Sequence, residues 1–537
     1  MLILDPLWLL PGCLVVAVLL YFRQVYRLFK RRGVKTPRVI PPFGTTVSVM
    51  AQREHFAEQI TRVYKQFPDQ RFYGAFQFTK PLLQVRDIEL IKKIGIEDFE
   101  HFIDHNSFVP EEYDPLFGRN LFSLKDQEWK DMRSTVSPAF TGSKIKMMLP
   151  LIMEVGNQMI FSLKKKIKES EQDSLEIDVK DLTTRCTNDV IASCAFGLKV
   201  NSYMDKDNQF YTMGKTVSNF TLRQLLMFFM LSSFPKLAGI FKLTLFPESV
   251  QNFYRTLVME TMQNRELQKI VRPDMIHLLM EARKGKLTHD EESSQDKDAG
   301  FAAVEESSFG MRQVNRVWSD DDLIAQAILF FVAGFETVSS AMSFLLYELA
   351  INPDMQEKLY QEIRKNDAQN KGKFDYNSVQ NMVYMDMVVS ETLRLWPPSF
   401  ALDRYCTKDY NMGKPNDEAT DEYIIRKGDG LQIPVFAIHR DPKYFQNPDK
   451  FDPERFSEEN KHKIQPFTYM PFGLGPRNCI GSRFALCELK VMTYLLLNSF
   501  EVSPSKKTPI PAKMEPSSFN ICIKGGHWAQ FRTRKEV

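Results

Sequence analysis

The chain has 537 residues, of which 43% are hydrophobic and 26% charged. That is ordinary globular usage, and it excludes a disordered, collagen-like or multi-span membrane protein. The net charge of +3 is too small to argue for a nucleic-acid partner. Seven cations (Arg23, Arg27, Lys30, Arg31, Arg32, Lys35, Arg38) stand together without an acid, and subtracting that +7 from +3 leaves −4 on the rest.

Just before this basic collar, residues 6–22 carry no charge. A run of that length sits at the lower edge for a membrane-spanning helix. Asp5 precedes it, cations follow it, and no small-residue cleavage site ends it. Residues 1–22 therefore read as an uncleaved anchor, with the body on the cytosolic side. Residues 23–45 read as a basic, Pro-rich linker in which Pro41-Pro42-Phe43-Gly44 points the body away from the anchor. Residues 46–537 read as one large domain.

Within that domain, 52–67 has helical spacing, with Phe56, Ile60, Val63 and Phe67 on one side. The aromatic, β-branched stretch 71–85, broken by Gly74 and Lys80-Pro81, reads as a small hairpin. From 126 to 284 the pattern is mostly helical, with long periodic runs at 144–168, 178–196, 211–230 and 247–268. The polar, acidic stretch 284–318 reads as a surface loop. Ser319-Asp320-Asp321-Asp322 then caps a helix that runs to about Ala350, before Asn352-Pro353. Its middle is too apolar for a surface helix, so it should cross the interior. Helices follow at 354–366 and 382–395. After Pro397-Pro398 the chain is irregular, with a strand-like piece at 430–436, and a last helix covers 480–498. The fold class is mainly α with minor β. Seven cysteines, from Cys13 to Cys522, include no Cys-x-x-Cys pair, which excludes a disulfide framework or zinc ribbon and suggests a reducing compartment.

The chemistry is concentrated in Phe472-Gly473-Leu474-Gly475-Pro476-Arg477-Asn478-Cys479-Ile480-Gly481. Cys479 precedes a helix, where free N–H groups and the positive dipole end favour a thiolate. A thiolate can ligate iron. Gly473, Gly475 and Gly481 let the backbone lie close against something large. Arg477 can pair with a carboxylate. The pattern Phe-x-x-Gly-x-Arg-x-Cys-x-Gly arises by chance in such a chain on the order of one time in several thousand.

These residues resemble the haem-binding loop of the cytochrome P450 superfamily, and further motifs in the family's order extend the resemblance over nearly the whole chain. It implies a single haem-thiolate fold holding haem b, with Cys479 as the axial iron ligand and Phe472, Arg477 and Gly481 around it. Trp129-Lys130-Asp131-Met132-Arg133 is similar to the family's Trp-x-x-x-Arg helix, which implies that Trp129 and Arg133 meet a haem propionate. Arg404, in Asp403-Arg404-Tyr405-Cys406, resembles a second propionate ligand. Glu391-Thr392-Leu393-Arg394 resembles the Glu-x-x-Arg helix. With Arg455 it implies a buried ion-pair network holding the loop under the iron. Ala333-Gly334-Phe335-Glu336-Thr337, in the middle of the long helix, resembles the oxygen-activating motif. There Gly334 would open room for dioxygen, Thr337 would bend the helix and guide protons, and Glu336 would relay them. Arg272-Pro273-Asp274-Met275 and Phe140-Thr141 add a likeness to insect relatives of the vertebrate drug-metabolising branch.

The resemblance implies a monooxygenase that uses dioxygen. With no nucleotide-binding motif in the chain, electrons would come from NADPH through a separate, membrane-bound flavoprotein reductase. The setting implied is the endoplasmic reticulum membrane, with the catalytic domain on the cytosolic side. Substrates should be lipophilic, xenobiotic or endogenous. Candidate pocket walls are Phe108, Phe122, Phe330, Phe331, Phe400 and Phe519. Residues 225–247, rich in Phe, Leu and Met, are either a packed helix pair or a lip that dips into the bilayer. Two rivals share the scaffold: an isomerase or dehydratase acting on peroxides without external electrons, and a non-catalytic haem binder.

Overall fold

The computed structural model describes residues 6–105, 111, 114–205, 207–218, 227, 230–231, 235–241, 243–244, 247–284, 300–307, 310, 316–371 and 374–535. Its central element is one unbroken helix, Asp320–Ile351. The start is set by a capping box: Ser319 Oγ accepts from the Asp322 N–H, and the Asp322 carboxylate accepts from the Ser319 N–H. Three aspartates in the first turn complement the helix dipole. Most of its length is buried. It packs most extensively on Val179–Cys194 and also meets Gln209–Ser218, Glu248–Gln268, Val383–Leu395 and Ser482–Ser499. Helix Gly142–Glu169 lies against Ser482–Ser499 and Val179–Cys194, closing the helical core.

The β structure is small and peripheral. Strands Phe72–Gln77, Lys80–Val85, Gly430–Ile433 and Leu402–Tyr405 form one sheet in that order, with a parallel middle pairing between antiparallel ones. Ser174–Asp178 pairs with Trp528–Thr533, which pairs with Phe500–Pro504. This is the mainly α, minor β fold that the sequence implies, organised as one large unit.

Several boundaries differ from the sequence reading. The helix expected over 52–67 is Phe56–Gln66, because His55 and Glu58 form a capping box at its start. Its buried face is Ala57, Gln59, Ile60, Val63 and Tyr64, while Phe56 and Phe67 sit at the rim. The piece at 430–436 divides into strand Gly430–Ile433 and the short helix Val435–Ile438. The region 225–247 lies largely outside the described residues; within it, Ile240 and Phe241 are exposed.

The linker is shorter than expected. Phe29 and Val34 are buried in the cluster built on the four-stranded sheet, and Tyr26 donates its hydroxyl to the Phe78 carbonyl. Gly74 permits this docking, since a Cβ there would lie 2.3 Å from Phe29 Cδ2. Packing onto the body thus begins near residue 26 rather than 46. The stretch 284–318 also differs from a free surface loop. Its residues 300–307 dock on the body, with Ala302 buried and Phe301 edge-on to Phe456 at 5.1 Å.

The segment Arg272-Pro273-Asp274-Met275 has a plain structural basis. Buried Asp274 caps helix Met275–Arg283 and accepts two hydrogen bonds from buried Arg265, at 2.5 and 2.6 Å.

One core group carries a pH prediction. Both carboxylate oxygens of fully buried Glu488 lack a hydrogen-bond partner among the described residues. Burial pushes its pKa from 4.5 up to about 8, so it is protonated at neutral pH. A raised acid stabilises the fold below its unfolded value and loses that contribution as pH rises through the folded one. Stability should therefore fall between pH 4.5 and 8, by up to about 1.4 kcal/mol per unit from this group. Glu488→Gln should flatten the slope in urea melts at pH 6, 7 and 8. An unchanged slope would refute the assignment.

Candidate active site

Cys479 lies two residues before the N-cap of helix Ser482–Ser499. Its backbone N–H donates to the Phe472 carbonyl at 2.8 Å, which closes the loop. Its neighbours Arg477 and Asn478 are buried, yet its own surface is accessible. A residue that is both deep and accessible faces an internal cavity. Burial pushes the Cys479 thiol up, while the Gly481 N–H and Arg133 pull it down. Burial outweighs the helix-terminus effect on which the sequence argument relied, so a bound cation is what would hold the sulfur as thiolate.

The glycines are set differently from expectation. A Cβ on Gly475 (φ +66°) would lie 1.8 Å from the Gly95 carbonyl oxygen, so Gly475 lies against this chain's own Lys93–Glu97 turn. A Cβ on Gly481 would lie 3.8 Å from Phe140 Cε1, an ordinary contact. Phe140 in turn packs edge-on against Phe330 of the long helix, with ring centroids 5.2 Å apart. That contact joins the cysteine loop to the middle of Asp320–Ile351.

There the helix has a second unusual surface. Ala333 and Thr337 are exposed within an otherwise buried stretch, and Phe330 is half-buried. Spacings of three and four place them on one face, so this stripe lines an interior cavity. The Thr337 hydroxyl donates back to the Ala333 carbonyl at 2.6 Å, a bond that bends helices and leaves the oxygen lone pairs free to accept.

Three buried arginines converge on the cysteine loop. Arg133 donates from Nη1 to the Asn478 carbonyl at 2.9 Å and from Nη2 to Asn478 Oδ1 at 2.8 Å. Its Nε and Nη2 also bind the Glu306 carboxylate, at 3.0 and 2.7 Å. Arg404 reaches the Leu474 carbonyl with Nη2 at 3.3 Å, and its buried Nε has no hydrogen-bond partner among the described residues. Burial lowers its pKa to about 10. Arg477 binds the Ile103, Leu121 and Leu124 carbonyls, lies 3.5 Å from Asp104, and stacks over Trp129 at 4.1 Å. Burial lowers its pKa too, and Arg404 and Arg133 push the same way. An orphaned guanidinium N–H beside mutually repelling cations fits an anionic group such as a haem propionate. The accessible interior sulfur fits the iron.

Residues 34–528 match the family model described as Cytochrome P450. The chain is 42% identical to cytochrome P450 9e2 of Blattella germanica, covering 99% of both chains. It is also 42% identical to a probable cytochrome P450 9f2 of Drosophila melanogaster, covering 98% of this chain and all of the other. Identity to cytochrome P450 6j1 of Blattella germanica is 35%, over 96% and 95%.

The chain belongs to the cytochrome P450 family. It is a haem-thiolate monooxygenase, with haem iron as its cofactor and dioxygen as its co-substrate. Members of this family work with redox-partner reductases on hydrophobic substrates. Nothing in these likenesses supports the isomerase reading.

The remaining expected residues of this P450 divide. Glu391 and Arg394, both fully buried, form a bidentate pair at 2.7 and 2.9 Å, and Arg455 Nε reaches Glu391 at 3.3 Å. The Asp452 N–H adds 2.8 Å. Glu336 turns to Lys180 of helix Val179–Cys194 at 2.8 Å and accepts from Ser340 Oγ at 3.1 Å. At Gly334 a Cβ would lie 3.0 Å from Ile191 Cδ1, so its missing side chain lets two helices approach. Phe331, one of the expected pocket walls, is wholly buried among Phe196, Phe210, Tyr254 and Phe335. Phe400 packs with Phe56 and Phe519, and Phe122 stacks on His105 at 4.2 Å. Phe108 lies outside the described residues.

The structure adds partners that sequence reasoning missed. His105 Nδ1 lies 3.0 Å from Asp403, and burial lowers the His105 pKa while Arg477 and Arg404 push it further down. His439 Nε2 accepts from the Met470 N–H at 3.0 Å, so its Nδ1 donates to the Arg394 carbonyl at 3.1 Å. Asp403 and Asn478 adjoin motif residues and could have been singled out. Asp104, His105, His439, Lys180 and Glu306 carry no local signal.

Proposed function

We propose that this P450 oxygenates lipophilic substrates at a haem ligated by Cys479. Arg133, Arg404 and Arg477 hold the propionates, Trp129 backs Arg477, and Phe472 and Gly481 frame the ligand loop. The observation that carries this reading is Cys479 itself, accessible although Arg477 and Asn478 beside it are buried. The haem, when bound, supplies the oxygen-activating chemistry. Electrons come from NADPH through a separate flavoprotein reductase, since the chain has no nucleotide-binding motif of its own. Residues 1–22 anchor the protein in the endoplasmic reticulum membrane, supported by an apolar helix with Leu14, Val15, Leu19 and Leu20 exposed. The body from the collar onward lies on the cytosolic side. Reconstitution with and without NADPH and reductase tests the reading. Oxygenated product should require both, and turnover without either would support the isomerase instead.

Thr337 Oγ1 guides protons into the cavity it lines, and Glu336 replenishes them on releasing Lys180. Thr337→Ala should fold, since Ala is the better helix former. Its product per NADPH should fall roughly tenfold while NADPH oxidation continues and peroxide rises. Thr337→Ser, which keeps the hydroxyl, should retain most coupling. Equal ratios for Ser and Ala would leave Thr337 as a bend residue only.

A further inference from the structure

The docked segment 300–307 reaches the ligand loop from the outside. The Phe301 N–H donates to Asp386 at 2.9 Å, and its ring packs on Phe456 and Tyr469. The Glu305 carbonyl accepts from Asn478 Nδ2 at 2.7 Å. Glu306 then places its carboxylate on the Nε–Nη2 edge of Arg133. Asn478, next to Cys479 in sequence, is thus held on one side by the Glu305 carbonyl and on the other by Arg133, which Glu306 in turn holds.

We infer that Glu306 is a positioning residue for the haem-thiolate centre: it fixes Arg133 and the Asn478–Cys479 turn, and its charge depresses the reduction potential. This rests on Cys479 being the iron ligand. The four hydrogen bonds of Arg133 use four of its five N–H groups, and the geometry leaves one Nη1 N–H for a propionate. A bidentate carboxylate also cancels most of the positive charge that Arg133 would otherwise present beside the sulfur. Arg133 is almost wholly buried and Glu306 only partly exposed, so screening by water is incomplete. An added electron at the iron is repelled by the carboxylate and attracted by an uncompensated guanidinium. Removing the Glu306 charge therefore favours the reduced state on both counts.

The test compares wild type, Glu306→Gln and Glu306→Asp as haem-loaded protein, with Glu458→Gln as a control for loss of a solvent-exposed surface charge. The carbon-monoxide difference spectrum comes first. A wild type without the thiolate-type band would mean that Cys479 is not the ligand, a separate failure from that of this inference. With the band present, spectroelectrochemical titration should show Glu306→Gln shifted toward the reduced state by about tenfold, which is about 59 mV for one electron. Glu306→Asp, which keeps the charge, and Glu458→Gln should stay near wild type. The inference is overturned if Glu306→Gln titrates with wild type, if Glu306→Asp shifts as far as Gln, or if Glu306→Gln alone loses the thiolate band.

Discussion

Cys479→Ser should abolish the thiolate-type carbon-monoxide difference spectrum and all NADPH-dependent product formation, while leaving the fold intact. The loop is closed by the Cys479 backbone N–H on the Phe472 carbonyl and by Arg477 on three carbonyls. None of these bonds involves the sulfur. The side chain faces a cavity, so the substitution removes no packed apolar group, and unfolding free energy should change by less than about 1 kcal/mol. The chemical change is large. A serine hydroxyl remains protonated at any working pH and is a poor electron donor to iron, whereas thiolate donation is what favours O–O cleavage. Urea melts, haem content and the difference spectrum separate the two effects. A variant that keeps the wild-type band would remove Cys479 from its role.

The cysteine loop was legible because its fixed residues are close together in sequence and their chemistry is local. The Glu391–Arg394 pair was legible only in company. Charges three apart on a helix are usually solvated, and the order Glu391, Arg394, Arg455, Cys479 is what lifted this pair above that reading. The side chains that complete the site, Asp104, His105, His439 and Glu306, lie from tens to hundreds of residues from their partners, and nothing in their neighbours marks them.

Helix phase was the other limit. Phe330 and Phe331 are adjacent and chemically identical, but one residue turns a helix by about 100°. Phe330 therefore contacts Phe140 near the loop, while Phe331 is sealed among aromatic rings of other helices. Gly334 shows the same limit: its close neighbour Ile191 is brought alongside by the topology from another helix. A periodic pattern tells that a helix is buried, and tertiary packing decides which residue faces the cavity.

Arg394→Ala should be the most destabilising single change in the site. Arg394 and Glu391 have no exposed surface, so deleting the guanidinium leaves a carboxylate held only by the Asp452 N–H and by Arg455 at 3.3 Å. Breaking a buried pair by removing one partner costs about 3–5 kcal/mol. The consequence extends to the haem loop. Arg394 Nη1 donates to the His439 carbonyl at 2.7 Å, His439 donates back to the Arg394 carbonyl, and its other nitrogen accepts from the Met470 N–H, just ahead of Phe472. Burial, then Arg394, lowers the His439 pKa to about 3, so this link keeps one protonation state at physiological pH. The expected result for Arg394→Ala is a low yield of protein that does not retain haem. Arg394→Lys keeps the charge but not the fork and should fall between Ala and wild type. Arg455→Ala removes the longer, partly exposed contact and should cost about 1 kcal/mol. Urea melts and haem-to-protein ratios across the three variants decide the matter. If Arg394→Ala is no worse than Arg455→Ala in both, the ion-pair network does not support the ligand loop.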